Sequence, residues 1–239
     1  MKRWEDLPET MRTPEVRPYY DALKKRRFAR FMKRAFDIFG SLFLLILLSP
    51  LFLLLAVAIK LDSRGPVFFR QIRITRYGKR FRIHKFRSMA VGSDRGNAVT
   101  VKDDPRVTRV GRFIRRCRLD EISQLIDVLE GTMSFVGTRP EVPKYVDAYT
   151  PEMKATLLMP AGVTGLASIY YKDESRLLDS AEDVDAVYIE RILPDKMKYN
   201  LRELDRVGAG HDLRILVMTV FAALGKNFKE KNEEEKEND

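Results

Sequence analysis

Cysteine is almost absent. Cys117 is the only one among 239 residues, so no disulfide can form within the chain. Histidine is nearly as scarce, with only His84 and His211, which excludes the Cys/His cluster that structural zinc requires. Both absences fit a catalytic part facing a reducing cytosol. Cys117 lies among arginines, and its spacing reads as an apolar filler on a helix face in preference to a nucleophile. No internal repeat occurs. Charge is missing from "IFGSLFLLILLSPLFLLLAVAI", residues 38–59. As a straight helix those 22 residues would extend about 33 Å at about 1.5 Å per residue, enough to cross a bilayer core.

The charge that is present is uneven. The net value is +10, but residues 1–36 hold 11 Lys/Arg against 5 Asp/Glu, residues 60–118 hold 18 against 4, and residues 119–239 hold 15 against 24. Positive charge therefore brackets the apolar run. Ala56-Val57-Ala58 resembles a signal cleavage site, yet 37 residues precede the run and an arginine-rich region follows it, which disfavours a secretory signal. Positive residues near membrane segments prefer the cytosolic side. Here both flanks qualify: "KKRRFARFMKR" before the run, and Lys60, Arg64, Arg70, Arg73 and Arg76 after it. Ser49-Pro50 interrupts the centre, where proline removes a backbone donor and the serine hydroxyl can satisfy the freed carbonyl. Two topologies stay open on these grounds: a segment that bends and returns to the same face, and a kinked single span.

Along the rest of the chain, "GPVFFRQIRI" and "KRFRIHKF" flank Tyr77-Gly78 and predict a hairpin. Val110, Phe113, Ile114 and Cys117 fall at helical spacing with arginines between them, which predicts a basic amphipathic helix over 108–117. A helix over about 119–130 follows, buried through Leu119, Ile122, Leu125, Ile126 and Leu129 and capped by Gly131. "MSFVGTRPE" reads as a short strand entering a loop, "TPEMKATLLM" as a helix with Thr150 at its N-cap, and "GVTGLASIYY" as another strand. Three helices are expected near 181–193, 195–206 and 211–225, with Ser180 and Asp183 as a capping pair for the first. The third is apolar on most faces, so it lies either in the core or in a membrane interface.

The predicted helix over 119–130 opens on Asp120 and Glu121, directly behind Arg109, Arg112, Arg115, Arg116 and Arg118. Acidic residues favour a helix start and pair with nearby arginines whatever the protein does. The same pair suits a divalent cation, because Mg²⁺ prefers one or two carboxylates together with phosphate oxygens. An ionised aspartate can also attack phosphorus and form an acyl phosphate. These readings remain open from the residues alone. A nucleic-acid-binding protein would use the arginine-rich helix but leaves the apolar run unexplained. A non-catalytic membrane scaffold explains the run but not the carboxylate pair.

The order of "KRAFD", an apolar run with "SP", "GPVFFRQIR", "FRIHKFRSM", "RVGRFIRRCRLDEISQL", "LEGTMSFVGTRPE" and "GVTGLASI", over about residues 32–225, strongly resembles the bacterial sugar transferase family, the monotopic phosphoglycosyl transferases. The resemblance implies transfer of a sugar 1-phosphate from a UDP-sugar to a polyprenyl (undecaprenyl) phosphate, with UMP released, by a covalent aspartyl-phosphosugar. That would be a first membrane step of a polysaccharide or glycoconjugate pathway. It also implies Mg²⁺ as cofactor, Asp120 as nucleophile and Glu121 as its metal-binding partner. Lys85, Arg115 and Arg139 would hold phosphates or shape the site, and Ser49 and Pro50 would form the membrane-entry break.

The implied fold is α+β, mostly α. It comprises a cytosolic arm (1–30), a re-entrant membrane helix-break-helix (31–60), one catalytic domain with a small β-hairpin and amphipathic interfacial helices (61–225), and a charged disordered tail (226–239). The implied location is the cytosolic face of the bacterial inner membrane. Its partners would be a UDP-sugar, polyprenyl phosphate and membrane lipids; a homodimer is allowed and nucleic acid is not expected. The chain departs from the family pattern with "GTMS" and "GTRP" where "GDMS" and "GPRP" are common, and with "PAGVTG" where "PGITG" is usual.

Overall fold

The computed structural model describes residues 1–92, 106–172, 183–226 and 228. Most of the expected tail and Ser180 lie outside the described residues. The arm begins with two 3₁₀ turns, Trp4–Asp6 and Glu9–Met11, and a helix α1, Arg17–Lys25. It reads as polar, yet Leu7, Met11, Val16, Tyr20 and Leu23 are buried and pack with Ala155, Leu158, Leu204 and Val207. Their scattered spacing across turns hides this face from a periodicity argument.

Two helices then form a bent pair, α2 (Arg27–Leu47) and α3 (Ser49–Asp62), at 62° to each other. Among the described residues no single helix is long and apolar enough to cross a membrane, whereas this pair passes together. The bend has a local cause. Proline at position 50 cannot donate to the carbonyl of Ile46, four residues back, and the Ser49 hydroxyl donates to that carbonyl instead at 2.8 Å. Phe28, Phe31, Phe39, Phe43 and Ile46 stand exposed along one side of α2, with Leu53 and Leu54 exposed on α3. Lys33, on the other side of α2, is buried with Asp37 and Ser41.

The predicted hairpin is present: β1 (Phe68–Thr75) pairs antiparallel with β2 (Lys79–Phe86) around Arg76-Tyr77-Gly78. Helix α4 (Arg109–Arg116) starts at Thr108, whose side chain accepts from the Gly111 N–H. Cys117 lies at its C-terminal end and is exposed, so it is not the apolar filler expected. The expected continuous helix over 119–130 is a 3₁₀ turn, Leu119–Glu121, followed by α5 (Gln124–Glu130), which ends at Gly131 with φ 85. Strand β3 (Met133–Val136) runs parallel to β4 (Ala161–Thr164). Helix α6 spans Pro143–Asp147.

Three further expectations are corrected. The segment after Thr150 is a 3₁₀ helix, Met153–Leu158, although Thr150 Oγ1 does accept from the Met153 N–H. "GVTGLASIYY" is a strand only to Thr164; Glu203 accepts from the Leu166 N–H and starts helix α7 (Leu166–Tyr170), an instruction from 37 residues away. The first two C-terminal helices are joined. Helix α8 (Val184–Val187), a π turn (Tyr188–Ile192) and α9 (Leu193–Leu204) are continuous, and the π turn falls directly before Pro194, which has no N–H to donate to the preceding turn. Asp183 itself caps α8 by accepting from the Ala186 N–H. Helix α10 (Ala209–Ala223) buries Asp212 and Ile215 while Leu213, Val217, Val220 and Phe221 stay exposed. The main core lies where α5, β3, β4 and α10 meet α2.

Candidate active site

Asp120 and Glu121 sit on the 3₁₀ turn between α4 and α5. The chain enters it through Arg118, whose φ of 54 is left-handed, an uncommon state for a residue with a side chain. Such backbone persists where the surroundings over-determine it. On the exit side, Ser123 Oγ lies 3.1 Å from the His84 carbonyl and 3.3 Å from that of Asp120, bridging the turn to β2. His84 is fixed by Asp127 of α5: its backbone N–H donates to Oδ2 and its Nδ1 lies against Oδ1, both at 2.9 Å. The Arg70 guanidinium occupies its Nε2. This buried bracket places Lys85, the next residue, beside the carboxylates.

The two acids are unequal. Lys85 Nζ donates to Glu121 Oε1 at 3.1 Å, and the Arg139 fork donates to both Glu121 oxygens, at 3.2 Å to Oε2 and closer to Oε1. Burial opposes ionisation of Glu121, but Arg139 and Lys85 outweigh it and hold its carboxyl well below the usual range. Asp120 receives its own backbone N–H, and among the described residues no side chain donates to its carboxylate. Burial and the adjoining Glu121 charge push its pKa up, against the pull of Lys85 and Arg115. Thus the structure brings Lys85, Glu121 and Arg139 into direct contact. Arg115, half-buried at the end of α4, acts on Asp120 through its charge, and Ser49 and Pro50 lie apart, at the helix bend.

The bacterial sugar transferase model matches residues 28–226. The chain belongs to the bacterial sugar transferase family. It is 39% identical over 207 residues to an exopolysaccharide production protein of Rhizobium leguminosarum bv. phaseoli, covering 82% of this chain and 98% of that one. It is 35% identical over 218 residues to the UDP-glucose:undecaprenyl-phosphate glucose-1-phosphate transferase of Escherichia coli, covering 89% of this chain and 44% of that protein. A putative undecaprenyl-phosphate N-acetylgalactosaminyl 1-phosphate transferase of Bacillus subtilis is 41% identical over 123 residues, 51% of this chain and 69% of its own. The chain spans less than half the length of the Escherichia coli relative.

Sequence reasoning about this bacterial sugar transferase counted Arg73 only as flanking charge. It joins the site: Nη1 donates to the Pro140 carbonyl at 3.1 Å, and its charge interacts with those of Lys85 and Glu121. The hairpin register carries the signal, since Phe69 pairs with Lys85, so residues 69, 71, 73 and 85 share a sheet face. Behind Arg139, buried Glu141 accepts from the Tyr188 hydroxyl at 2.6 Å, Lys196 donates to that hydroxyl at 2.8 Å, and the Glu141 carbonyl accepts from the Ile74 N–H. Nothing local in the sequence marks this support.

The donor set fits Mg²⁺. That ion takes one or two carboxylates and completes its shell with phosphate and water oxygens. Asp120 offers both oxygens free of side-chain donors, while the adjoining Glu121 would share with the ion the oxygens that now accept from Lys85 and Arg139. His84, Asp127 and Glu130 also lie within ligand distance of one another, but the first two are spent on each other and on Arg70.

Proposed function

We propose that this bacterial sugar transferase moves a sugar 1-phosphate from a UDP-sugar to undecaprenyl phosphate, through a covalent phosphosugar on Asp120. The inequality of the carboxylates carries the assignment. Glu121 is locked as an anion by Lys85 and Arg139, whereas Asp120 keeps its lone pairs for a reacting atom. An Asp120 oxygen attacks the sugar-linked phosphorus, the bond to the bridging oxygen breaks, and UMP leaves with that electron pair. An oxygen of the lipid phosphate then attacks the same phosphorus, breaks its bond to Asp120, and forms the diphosphate-linked sugar. Lys85, Arg139 and Arg73 supply positive charge where the transferred phosphoryl oxygens gain charge. Mg²⁺, held by Asp120 and Glu121, would supply further neutralisation of the diphosphate when bound.

The reaction runs at the cytosolic face of the cytoplasmic membrane, with α2 and α3 entering and leaving on that face. The arm supports this reading: it precedes α2 in the chain yet shares a hydrophobic cluster with residues from Ala155 to Val207, which a single span would put across the bilayer. Exposed apolar residues on α2, α3 and α10 supply the lipid-facing surface. Relatives named for glucose and N-acetylgalactosamine support a UDP-hexose or UDP-N-acetylhexosamine as the donor.

The test omits the lipid acceptor. With labelled UDP-hexose and Mg²⁺, the protein in nanodiscs is expected to release at most one equivalent of UMP and to retain label. Asp120→Asn does neither, and Glu121→Gln does both slowly. Turnover with acceptor but no burst and no labelled protein would assign direct transfer instead.

A further inference from the structure

A cavity of about 410 Å³ lies between the arm and the first turn of α2, and no residue of the carboxylate site lines it. That volume falls in the range of small-molecule sites, about 300–1,000 Å³. Its walls carry six cations, Lys2, Arg3, Arg17, Lys24, Arg27 and Arg30, against one acid, Glu5. Asp6 neutralises Arg3 at 3.1 Å and Asp21 neutralises Arg17 at 2.9 Å. For Lys2, Lys24, Arg27 and Arg30 no ion-pair partner is present among the described residues. Arg30 Nε is buried with no hydrogen-bond acceptor. Burial, and then the charges of Arg76 and Arg27, lower its pKa. A buried donor without an acceptor, among cations that repel it, is the surrounding of an anion site.

The position of the cavity selects the anion. Phe28 and Phe31, on the same turn of α2 as Arg27 and Arg30, are 76% and 68% exposed, and the apolar side continues through Phe39 and Phe43. Residues 1–27 lie outside the segment matched to the family, so much of the cavity wall belongs to the arm of this chain. We propose that the cavity binds the phosphate of an anionic lipid headgroup, held by Arg27, Arg30 and Lys24, with the lipid chains along the exposed phenylalanines of α2. Trp4 and Tyr20, whose rings meet edge-on at 5.1 Å, form an aromatic wall beside the headgroup. The site stands apart from the catalytic chemistry and its test needs no turnover.

Trp4 is the only tryptophan in the chain and it lines the cavity, so fluorescence excited at a wavelength that tyrosine does not absorb reports on the site. The full chain in maltoside micelles is titrated with dihexanoyl phosphatidylglycerol, dihexanoyl phosphatidylcholine and inorganic phosphate. Phosphatidylglycerol is expected to give a saturable change that weakens with salt, at a midpoint at least about tenfold below that of phosphatidylcholine. Arg27→Gln/Arg30→Gln raises the phosphatidylglycerol midpoint at least about tenfold. Lys24→Gln, at an exposed position, raises it about two- to threefold and decides the matter if the double variant unfolds. Equal midpoints for the two lipids, or variants that bind as the parent does, overturn the proposal. Saturation by inorganic phosphate at the same concentration as phosphatidylglycerol overturns the lipid as its source.

Discussion

Replacing Lys33 by methionine removes a cation from a place that water does not reach. The Lys33 and Asp212 side chains are each 5% exposed, with Nζ 2.5 Å from Oδ2, and Nζ also donates to the Val136 carbonyl at 2.8 Å. The pair joins α2 to α10 and to the end of β3, and beside it Asp37 accepts from Ser134 Oγ and the Phe135 N–H. Lys33→Met leaves Asp212 charged, buried and unpaired, which costs about 3–5 kcal/mol. At about 2–4 °C per kcal/mol for a domain of this size, melting falls by roughly 6–20 °C. Lys33→Met/Asp212→Leu removes both charges and should recover at least about half of that loss, because a paired charge replaced by apolar groups is close to neutral. Lys198→Ala is the control. Its partner Asp195 is at 2.7 Å, nearly as close, but both side chains are at least half exposed, and such pairs contribute about 0–1 kcal/mol. Melting followed by far-UV circular dichroism in one detergent at one pH reads all three. A Lys33→Met melt within about 3 °C of the parent, or a double variant as unstable as the sum of its parts, would refute the reasoning.

Stability should depend on pH with opposite signs for the neighbouring acids. Glu121, with its pKa held down, contributes stability above its unfolded value of about 4.3 that is lost only as pH falls through the depressed folded value. Asp120, pushed up, contributes below its unfolded value of about 3.9 and loses that contribution as pH rises through the raised folded value. Without divalent cation at pH 7.5, Asp120→Asn is therefore expected to melt at or above the parent and Glu121→Gln below it; the reverse order contradicts the site electrostatics. Gly111→Ala should destabilise although alanine favours helix over glycine by about 1 kcal/mol, because its Cβ would lie 2.0 Å from the Ser88 carbonyl oxygen. A raised melting temperature for that variant would mean that the Ser88 backbone yields freely.

Local grammar alone determined several features of this protein. The uncharged run, its interruption at Ser49-Pro50, the hairpin around Tyr77-Gly78 and the arginine-rich helix each rest on residues within a few positions of one another, so periodicity and turn chemistry reveal them. Asp120 and Glu121 were visible as a pair for the same reason. Only the tertiary structure distinguished them, since the cations that lock Glu121 come from Lys85, 36 residues earlier, and Arg139, 18 later. The helix after Thr164 depends on Glu203, the burial of Lys33 on Asp212, and the folded arm on a surface made by residues 155–207. Charge and burial act through space, whereas sequence patterns report only what lies along the chain. The residue types could therefore be read from the sequence, but which carboxylate is held and which is free was decided when distant segments met.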